Sequence, residues 1–233
     1  MGQKGKNIAI IVAAGKGKRM GQGFNKQYIL LKKKPIIAHT LTVFEESEYI
    51  DEILLVVGEN EINFTTENII KKYGFKKVIQ VISGGKERQD SVYAGLLAIK
   101  DLCEIVLIHD GARPFLEKKL IQKTIDVAKN MGAAITGMPV KDTIKIINDK
   151  MEVVDTPDRS QLWGVQTPQA FQYRLLKSAY DNIMTEGVFV TDDAMALERY
   201  GHAVAVVQGS YENIKITTPE DLLVAESILR REK

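Results

Sequence analysis

Short apolar runs rich in β-branched residues alternate along the chain with longer amphipathic segments. The runs predict strands at residues 8–13, 53–57, 78–82, 105–109, 133–139, 203–207 and 214–217. The amphipathic segments predict helices at 35–46, 66–73, 87–100, 117–130, 173–184 and 219–230. Runs that are apolar throughout are typical of strands covered on both faces of a mainly parallel sheet. The alternation therefore predicts an α/β fold, an open doubly wound sheet with helices on both faces.

One segment, residues 141–158, departs from this alternation. Polar and apolar residues alternate at period two from Thr143, a turn is expected at Asn148 and Asp149, and the segment then runs on to Asp155. This pattern predicts an inserted β-hairpin. A lone hairpin is only marginally stable in water, so we expect it to pack against its own domain or against a second subunit. Leu162 and Trp163 follow the segment and favour the second subunit, because they would be buried at such an interface.

Composition narrows the class of protein. The 233 residues are 45% hydrophobic and 27% charged with a net charge of +2, which is typical of a globular protein and gives no basic field for nucleic acid. No stretch has the ~20 apolar residues of a membrane helix, and the polar start does not resemble a signal peptide. The only cysteine, Cys103, lies in an apolar run and is expected to be a buried core thiol. We expect a soluble cytoplasmic protein that binds neither nucleic acid nor membrane.

A glycine turn rich in cations follows the first predicted strand. Residues 13–21 read AAGKGKRMG, and the spacing of Gly15, Gly17 and Gly21 matches neither the dinucleotide fingerprint nor the phosphate-binding P-loop. The cations of this segment are Lys16, Lys18, Arg19 and Lys26. Glycines allow backbone N–H groups to approach a phosphate, and the cations supply fixed positive charge. The turn therefore predicts a phosphate site, and the alternative is a solvated basic loop.

A second candidate site lies at the start of the third predicted helix, where residues 84–96 read GGKERQDSVYAGL. Gly85 ends the preceding strand, and Arg88 and Ser91 open the helix. Free N–H groups and a hydroxyl at a helix start suit the polar edge of a nucleobase. The alternative is a plain helix cap with a surface arginine.

A third candidate site follows a buried strand, where residues 106–115 read VLIHDGARPF. Ligands of open α/β sheets bind at the carboxyl ends of strands. Asp110 is suited to Mg²⁺, which uses few carboxylates and takes its other ligands from phosphates and water. Arg113 is suited to a second anion. The alternative is an aspartate that only caps the following turn.

Weaker candidates are Thr167 in VQTPQAF, Thr191 in VTDDA and Lys215 in NIKITTPEDL. Thr191 is equally suited to be a helix N-cap, and Lys215 to be a surface residue of a strand. The adjacent Asp192 and Asp193 are expected to be first-turn charges that complement a helix dipole rather than metal ligands. The histidines are scattered along the chain, so spacing predicts neither a zinc site nor a Ser-His-Asp triad.

Taken in order, these segments resemble one family. AAGKGKRMG, NKQY, GGKERQDSV, HDGARPF, VKDTIK, VQTPQAF, VTDDA and NIKITTPEDL together are similar to the 2-C-methyl-D-erythritol 4-phosphate cytidylyltransferases of the non-mevalonate isoprenoid pathway. The resemblance implies a single Rossmann-like nucleotidyltransferase domain over residues 1–233. It also implies a homodimer built through the arm at about 141–158.

The resemblance also implies roles for individual residues. CTP, the co-substrate, would be bound by Ala13, Ala14, Gly15, Gly17, Gly85, Arg88 and Ser91. The catalytic cations would be Arg19, Lys26 and Lys215. Methylerythritol phosphate would be bound by Asp110, Arg113, Thr143, Arg159, Thr167 and Thr191. Asp110 would also hold Mg²⁺, and Thr143 and Arg159 would reach the site across the dimer.

The implied reaction is an in-line attack of the substrate phosphate on the α-phosphorus of CTP, which expels pyrophosphate. Three alternatives compete with it: a pentitol (ribitol) 5-phosphate cytidylyltransferase, a sugar-1-phosphate nucleotidylyltransferase, and a non-catalytic nucleotide-binding module. Ala112 favours methylerythritol phosphate, because the pentitol relatives more often have valine there. The GGKERQDSV segment argues against another nucleotide, and the presence of Lys26, Asp110 and Lys215 argues against a non-catalytic module.

Overall fold

The computed structural model describes residues 5–15, 25–100 and 102–231. The strands are β1 (Lys6–Val12), β2 (Leu30–Leu31), β3 (Lys34–Pro35), β4 (Glu52–Val57), β5 (Val78–Ser83), β6 (Cys103–Asp110), β7 (Ala133–Pro139), β8 (Ile146–Ile147), β9 (Val153–Asp155), β10 (Trp163–Gln172) and β11 (Ala205–Gln208). The helices are α1 (Ile36–Glu45), α2 (Ile62–Thr65, continued by a π-helical stretch at Thr66–Lys71), α3 (Arg88–Ala98), α4 (Lys118–Met131), α5 (Tyr173–Glu186), α6 (Asp193–Glu198) and α7 (Pro219–Arg231).

The centre of the fold is a seven-stranded sheet in the order β11-β7-β10-β6-β1-β4-β5. All neighbouring pairs are parallel except those of β10, which runs antiparallel to β6 and β7. The prediction of a Rossmann-like, open and mainly parallel α/β sheet is thus confirmed. Because the parallel strands end at one edge, the loops that follow β1, β5 and β6 lie together there.

Apolar side chains cover both faces of the sheet. Along β1, Ala9 and Ile11 belong to the cluster that packs against α1 and α4, while Ile8 and Ile10 belong to the cluster that packs against α3, α5 and α6. This alternation follows from the period of two in a strand, and explains why the runs are apolar throughout. A third cluster joins α7 to the segment around β2 and β3.

Two strand predictions are corrected by the structure. Residues 214–217 do not pair with the sheet; the N–H of Ile216 donates instead to the carbonyl oxygen of Ala112 at 2.9 Å, so the segment is an extended strap beside the loop after β6. The sequence pattern also missed β10, which contains Pro168. The register of β10 against β7 shifts between Gln166 and Gln169, so the proline sits at an irregularity where no ladder hydrogen bond is lost.

The predicted hairpin is confirmed as β8 and β9, which pair with each other and not with the central sheet. Asn148 organises the turn: its backbone N–H donates to the carbonyl oxygen of Glu152 at 3.0 Å, and its side-chain oxygen accepts from the N–H of Lys150 at 3.0 Å. The apolar side chains of the hairpin are largely exposed, with Ile146 at 48%, Val153 at 59% and Val154 at 64%.

Candidate active site

A buried carboxylate with three cations occupies the sheet edge. Oδ2 of Asp110, the last residue of β6, lies 2.9 Å from Nζ of Lys215 and 3.3 Å from Nε of Arg113. Oδ1 lies 3.5 Å from Nε of Arg88. Burial raises the pKa of the Asp110 carboxyl. The charges of Lys215, Arg88 and Arg113 lower that pKa by more, so it lies well below its usual range. Asp110 is therefore an ionised centre and not a simple turn cap.

Arg88 contacts a second carboxylate, which the sequence did not reveal. Its Nη1 and Nη2 donate to Oδ1 and Oδ2 of Asp193 at 3.0 and 2.7 Å. Burial lowers the pKa of Arg88, whereas the charges of Asp193 and Asp110 raise it, and the result lies above its usual value. Asp193 lies in the first turn of α6, as expected, but it is fully buried and its charge is paired with Arg88. The N-cap of α6 is Asp192 rather than Thr191, because Asp192 accepts from the N–H of Met195.

Thr167 and His109 hold the backbone around Asp110. The Thr167 hydroxyl accepts from the N–H of Asp110 at 3.1 Å and lies 3.0 Å from Nδ1 of His109, whose Nε2 is 3.1 Å from the carbonyl oxygen of Arg113. Burial lowers the pKa of His109 to about 4. His109 is thus a neutral side chain that fixes the loop after β6.

The loops after β1 and β5 face each other across a cavity. Ala13, Ala14 and Gly15 line it, together with Gly85 and Ser91 from the start of α3. The Ser91 hydroxyl accepts from the N–H of Gly85 at 3.2 Å and fixes that loop. A Cβ on Gly84 would lie 2.4 Å from the Cβ of Ala14, so glycine is needed there for the two loops to approach. Lys26, Arg88, Asp110 and Lys215 complete the wall of this cavity.

Lys26 is held at the cavity by its neighbours in sequence and space. Its Nζ donates to the carbonyl oxygen of Ile216 at 3.0 Å. The buried Gln27, which the sequence interpretation did not single out, donates to the carbonyl oxygen of Ala13 and, at 3.4 Å, to Glu61. A lone glutamine after a lysine carries no pattern of its own, so only the three-dimensional contact reveals it.

A second cavity adjoins the first. Arg113, Thr167 and Thr191 line it with the polar side chains of Gln166 and Gln169. Arg88, Asp110 and Lys215 line both cavities, so the ion cluster forms the wall between them. Two adjoining cavities that share a carboxylate and two cations are suited to two anionic ligands that meet at their common boundary.

Four predicted site residues are not among the described residues that line these cavities. Gly17 and Arg19 lie outside the described residues. Thr143 and Arg159 are exposed and line neither cavity, and Nη1 of Arg159 donates to the carbonyl oxygen of Lys141 at 2.8 Å. The structure therefore brings together Ala13, Ala14, Gly15, Lys26, Gly85, Arg88, Ser91, Asp110, Arg113, Thr167, Thr191 and Lys215.

The donor set at Asp110 can be tested against Mg²⁺. Among the residues that the structure describes, no three His, Cys, Asp or Glu side chains are grouped as a metal cage. Asp110 offers one carboxylate to both cavities. This set fits Mg²⁺ only as an ion that takes its other ligands from substrate phosphates and water.

Two further expectations concern residues away from the site. Cys103 is buried, and burial raises the pKa of its thiol to about 12, so the expectation of a core thiol is confirmed. Across the described part of the chain, every helix is too short or too polar to span a bilayer.

Comparison with known proteins gives consistent matches over nearly the whole chain. The family model described as 2-C-methyl-D-erythritol 4-phosphate cytidylyltransferase matches residues 7–231. Proteins of that name from Alkaliphilus oremlandii and Clostridioides difficile are 59% and 53% identical; the alignments cover 97% and 96% of this chain and 95% and 94% of theirs.

Solved structures agree with the sequence matches. The 4-diphosphocytidyl-2C-methyl-D-erythritol synthase from Anaerococcus prevotii superposes with a TM-score of 0.86 at 36% identity, covering 97% of both chains. The 2-C-methyl-D-erythritol 4-phosphate cytidylyltransferase of Francisella tularensis has a TM-score of 0.82 at 32% identity, covering 95% of this chain and 99% of that one.

Proposed function

This chain belongs to the 2-C-methyl-D-erythritol 4-phosphate cytidylyltransferase family, and from that premise we propose that its two cavities hold CTP and methylerythritol phosphate on either side of Asp110. The enzyme transfers CMP from CTP to 2-C-methyl-D-erythritol 4-phosphate, giving 4-diphosphocytidyl-2-C-methyl-D-erythritol and pyrophosphate. The sharing of Asp110, Arg88 and Lys215 by both cavities is the observation that carries the proposal, because the two reacting phosphates must meet at one place.

The reaction requires charge to be neutralised rather than a nucleophilic side chain. A phosphate oxygen of the sugar phosphate forms a bond to the α-phosphorus, and the bond from that phosphorus to the bridging oxygen of pyrophosphate breaks. Lys26 and Lys215 line the cavity and would stabilise the negative charge that develops around the α-phosphorus. One such cation acting on the transition state contributes ~3 kcal/mol, by analogy with an oxyanion-hole donor. Arg19 would add to them.

The first cavity suits the nucleotide. The backbone at Ala13, Ala14 and Gly15 would lie against the triphosphate with Gly17, since glycine and alanine permit a close approach. Ser91 fixes the backbone of Gly85, and these two would contact the cytosine. Arg88 supports this loop through its ion pair with Asp193.

The second cavity suits the sugar phosphate. Arg113 is anchored by Asp110 and by the carbonyl oxygen of Asn213 at 2.8 Å, so its position is fixed before the substrate arrives. It would bind the reacting phosphate, and Thr167 and Thr191 would contact the same substrate.

Asp110 would hold Mg²⁺ together with substrate phosphate oxygens. Such an ion, when bound, supplies positive charge to the triphosphate.

The exposed hairpin favours a homodimer of a single nucleotidyltransferase domain. Its apolar side chains are largely exposed, with Val154 at 64% and Met151 at 77%, and the nearby Trp163 of β10 is 39% exposed. In a two-fold dimer, Thr143 and Arg159 would reach the sugar-phosphate cavity of the other subunit.

The test is pyrophosphate release from CTP with methylerythritol phosphate or ribitol 5-phosphate as acceptor, at equal concentrations. We expect turnover with methylerythritol phosphate and little with ribitol 5-phosphate, and the variant Lys215→Met serves as the inactive control. A preference for ribitol phosphate would instead assign the chain to the pentitol phosphate cytidylyltransferases. No release with either acceptor would refute the proposal.

A further inference from the structure

Arg88 is shared unequally by two carboxylates. It forms a bidentate pair with Asp193, at 3.0 and 2.7 Å, but only its Nε faces Asp110, at 3.5 Å. The two terminal nitrogens of the guanidinium, Nη1 and Nη2, therefore point toward Asp193 and away from Asp110. Something must hold it there, because both carboxylates are within reach and both are negatively charged.

The surroundings of Asp193 provide that restraint. The hydroxyl of Tyr180, which is itself fully buried, donates to Oδ1 of Asp193 at 2.6 Å. The N–H of Asp193 donates to Oε1 of Gln169 at 3.1 Å, and Gln169 in turn donates to Asp192 at 3.0 Å. Oδ1 of Asp193 and its backbone N–H are thus fixed by α5 and β10, and Oδ2 accepts from Nη2 of Arg88.

We infer that Asp193 is a positioning residue for cytidylyl transfer, which engages Arg88 and so keeps one oxygen of Asp110 open to the ligands of the site. This inference rests on the proposed function. Of the three cations around Asp110, Lys215 and Arg113 contact Oδ2, and only Arg88 approaches Oδ1. Oδ1 therefore remains the oxygen with capacity for a substrate hydroxyl or for a metal ion.

Removal of the Asp193 charge would redirect Arg88. A buried guanidinium without a carboxylate is unfavourable, and Asp110 is the other acceptor that it already contacts. A bidentate pair with Asp110 is the geometry that arginine prefers. Oδ1 would then be occupied by Arg88, and both carboxylate oxygens of Asp110 would be paired with cationic side chains of the protein itself. The link also runs between the two halves of the site, since Arg88 belongs to the nucleotide loop and Asp193 follows Thr191 of the sugar-phosphate cavity.

The experiment compares Asp193→Asn with a matched control, Asp181→Asn, which removes the charge of an α5 aspartate that pairs with Lys177 and lines neither cavity. We expect Asp193→Asn to lower kcat/KM for methylerythritol phosphate on the order of 10²-fold, the cost of a misplaced catalytic contact. Asp181→Asn is expected to leave kcat/KM close to that of the wild type. Wild-type kcat/KM in Asp193→Asn would overturn the inference.

Arg88→Met and the double variant Arg88→Met/Asp193→Asn separate positioning from mere stability. If Asp193 acts through Arg88, the double variant has the kcat/KM of Arg88→Met within about twofold, and it melts higher because no buried carboxylate is left unpaired. A further loss of activity in the double variant would show that Asp193 acts by another route and would overturn the inference. This comparison stands even if Asp193→Asn alone does not fold. An inactive wild-type enzyme would refute the proposed function instead.

Discussion

The ammonium group of Lys26 donates to the carbonyl oxygen of Ile216 at 3.0 Å, and Lys215, the residue before Ile216, is paired with Asp110 at 2.9 Å. The strap at 214–217 therefore connects the two lysines of the first cavity through one short stretch of backbone. Because the N–H of Ile216 is bonded to Ala112 at 2.9 Å, the strap is also tied to the loop after Asp110. Both lysines are in this way fixed relative to the carboxylate before substrates bind.

The first prediction concerns this arrangement. Lys26→Ala is expected to lower kcat on the order of 10²-fold and to change the KM for CTP much less, because a prepositioned cation acts mainly on charge that develops in the transition state. Arg19→Ala is expected to behave in the same way. Steady-state kinetics measure both constants, with Lys119→Ala, an exposed lysine of α4, as the control. An unchanged kcat with only a raised KM for CTP would mean that Lys26 contributes uniform binding.

The second prediction concerns Asp110. Asp110→Asn is expected to abolish Mg²⁺-dependent turnover while the protein stays folded, since the amide keeps the shape but loses the charge that a hard cation requires. Because the pKa of Asp110 lies well below its usual range, its protonation should not limit activity at mildly acidic pH. Turnover is measured against Mg²⁺ concentration, with Asp126→Asn on the surface of α4 as the control. Normal turnover at limiting Mg²⁺ would reduce Asp110 to a structural role.

The third prediction concerns the pH dependence of stability. The pKa of His109 is lowered from 6.5 to about 4 in the folded protein, so below about pH 6.5 the unfolded chain takes up a proton that the folded one does not. The free energy of unfolding should therefore fall as the pH drops from about 6.5 to 4, by on the order of 3 kcal/mol from this residue. Urea unfolding of His109→Gln should show a flatter profile in that window. The exposed His202→Gln should retain the wild-type profile, and equal slopes for both variants would contradict the assignment.

The sequence was sufficient for most of the fold, because the buried strands are short apolar runs and the helices between them are amphipathic. It failed where local pattern does not determine structure. β10 reads WGVQTPQAFQ, and its glutamines and proline resemble a loop, although they lie between two buried strands. The strap at 214–217 has the apolar alternation of a strand, but its partner is the carbonyl oxygen of Ala112 and not a strand.

The candidate site likewise contains residues that the sequence could suggest and contacts that it could not. Asp110, Arg113 and Lys26, which line the two cavities, could be proposed from the sequence because each lies within a few residues of a strand end or a glycine turn with a recognisable pattern. The pairing of Arg88 with Asp193 could not be, since the two are distant in sequence and an aspartate in a first helical turn is usually exposed. Gln27 was missed for a similar reason, because its contacts with Ala13 and Glu61 exist only in the folded chain.

The fourth prediction tests whether the hairpin joins two subunits. Arg159 follows the arm directly and is exposed in its own chain, with one nitrogen bonded to the carbonyl oxygen of Lys141 at 2.8 Å. Its guanidinium retains donors for a bidentate contact with a phosphate. Arg159→Ala is expected to raise the KM for methylerythritol phosphate at least tenfold, in the range of a lost charge-assisted contact, and to leave the KM for CTP nearly unchanged. Arg174→Ala, on α5 at the opposite edge of the sheet, is the control.

Mixing two impaired variants, assayed at a methylerythritol phosphate concentration below the KM of Arg159→Ala, then decides from which subunit Arg159 acts. In a heterodimer of Arg159→Ala with Lys26→Ala, one site receives an intact Lys26 from its own chain and an intact Arg159 from the other, while the second site lacks both. Random exchange of a two-fold dimer gives heterodimers as half of the population, so about a quarter of all sites should recover activity. Activity that never recovers after exchange, or an active species that sediments as a monomer, would place Arg159 in the site of its own chain. Substitution of the exposed Val154 by aspartate gives an independent check, because a charge in the middle of the arm should dissociate the dimer and, through Arg159, raise the KM for the sugar phosphate at the same time.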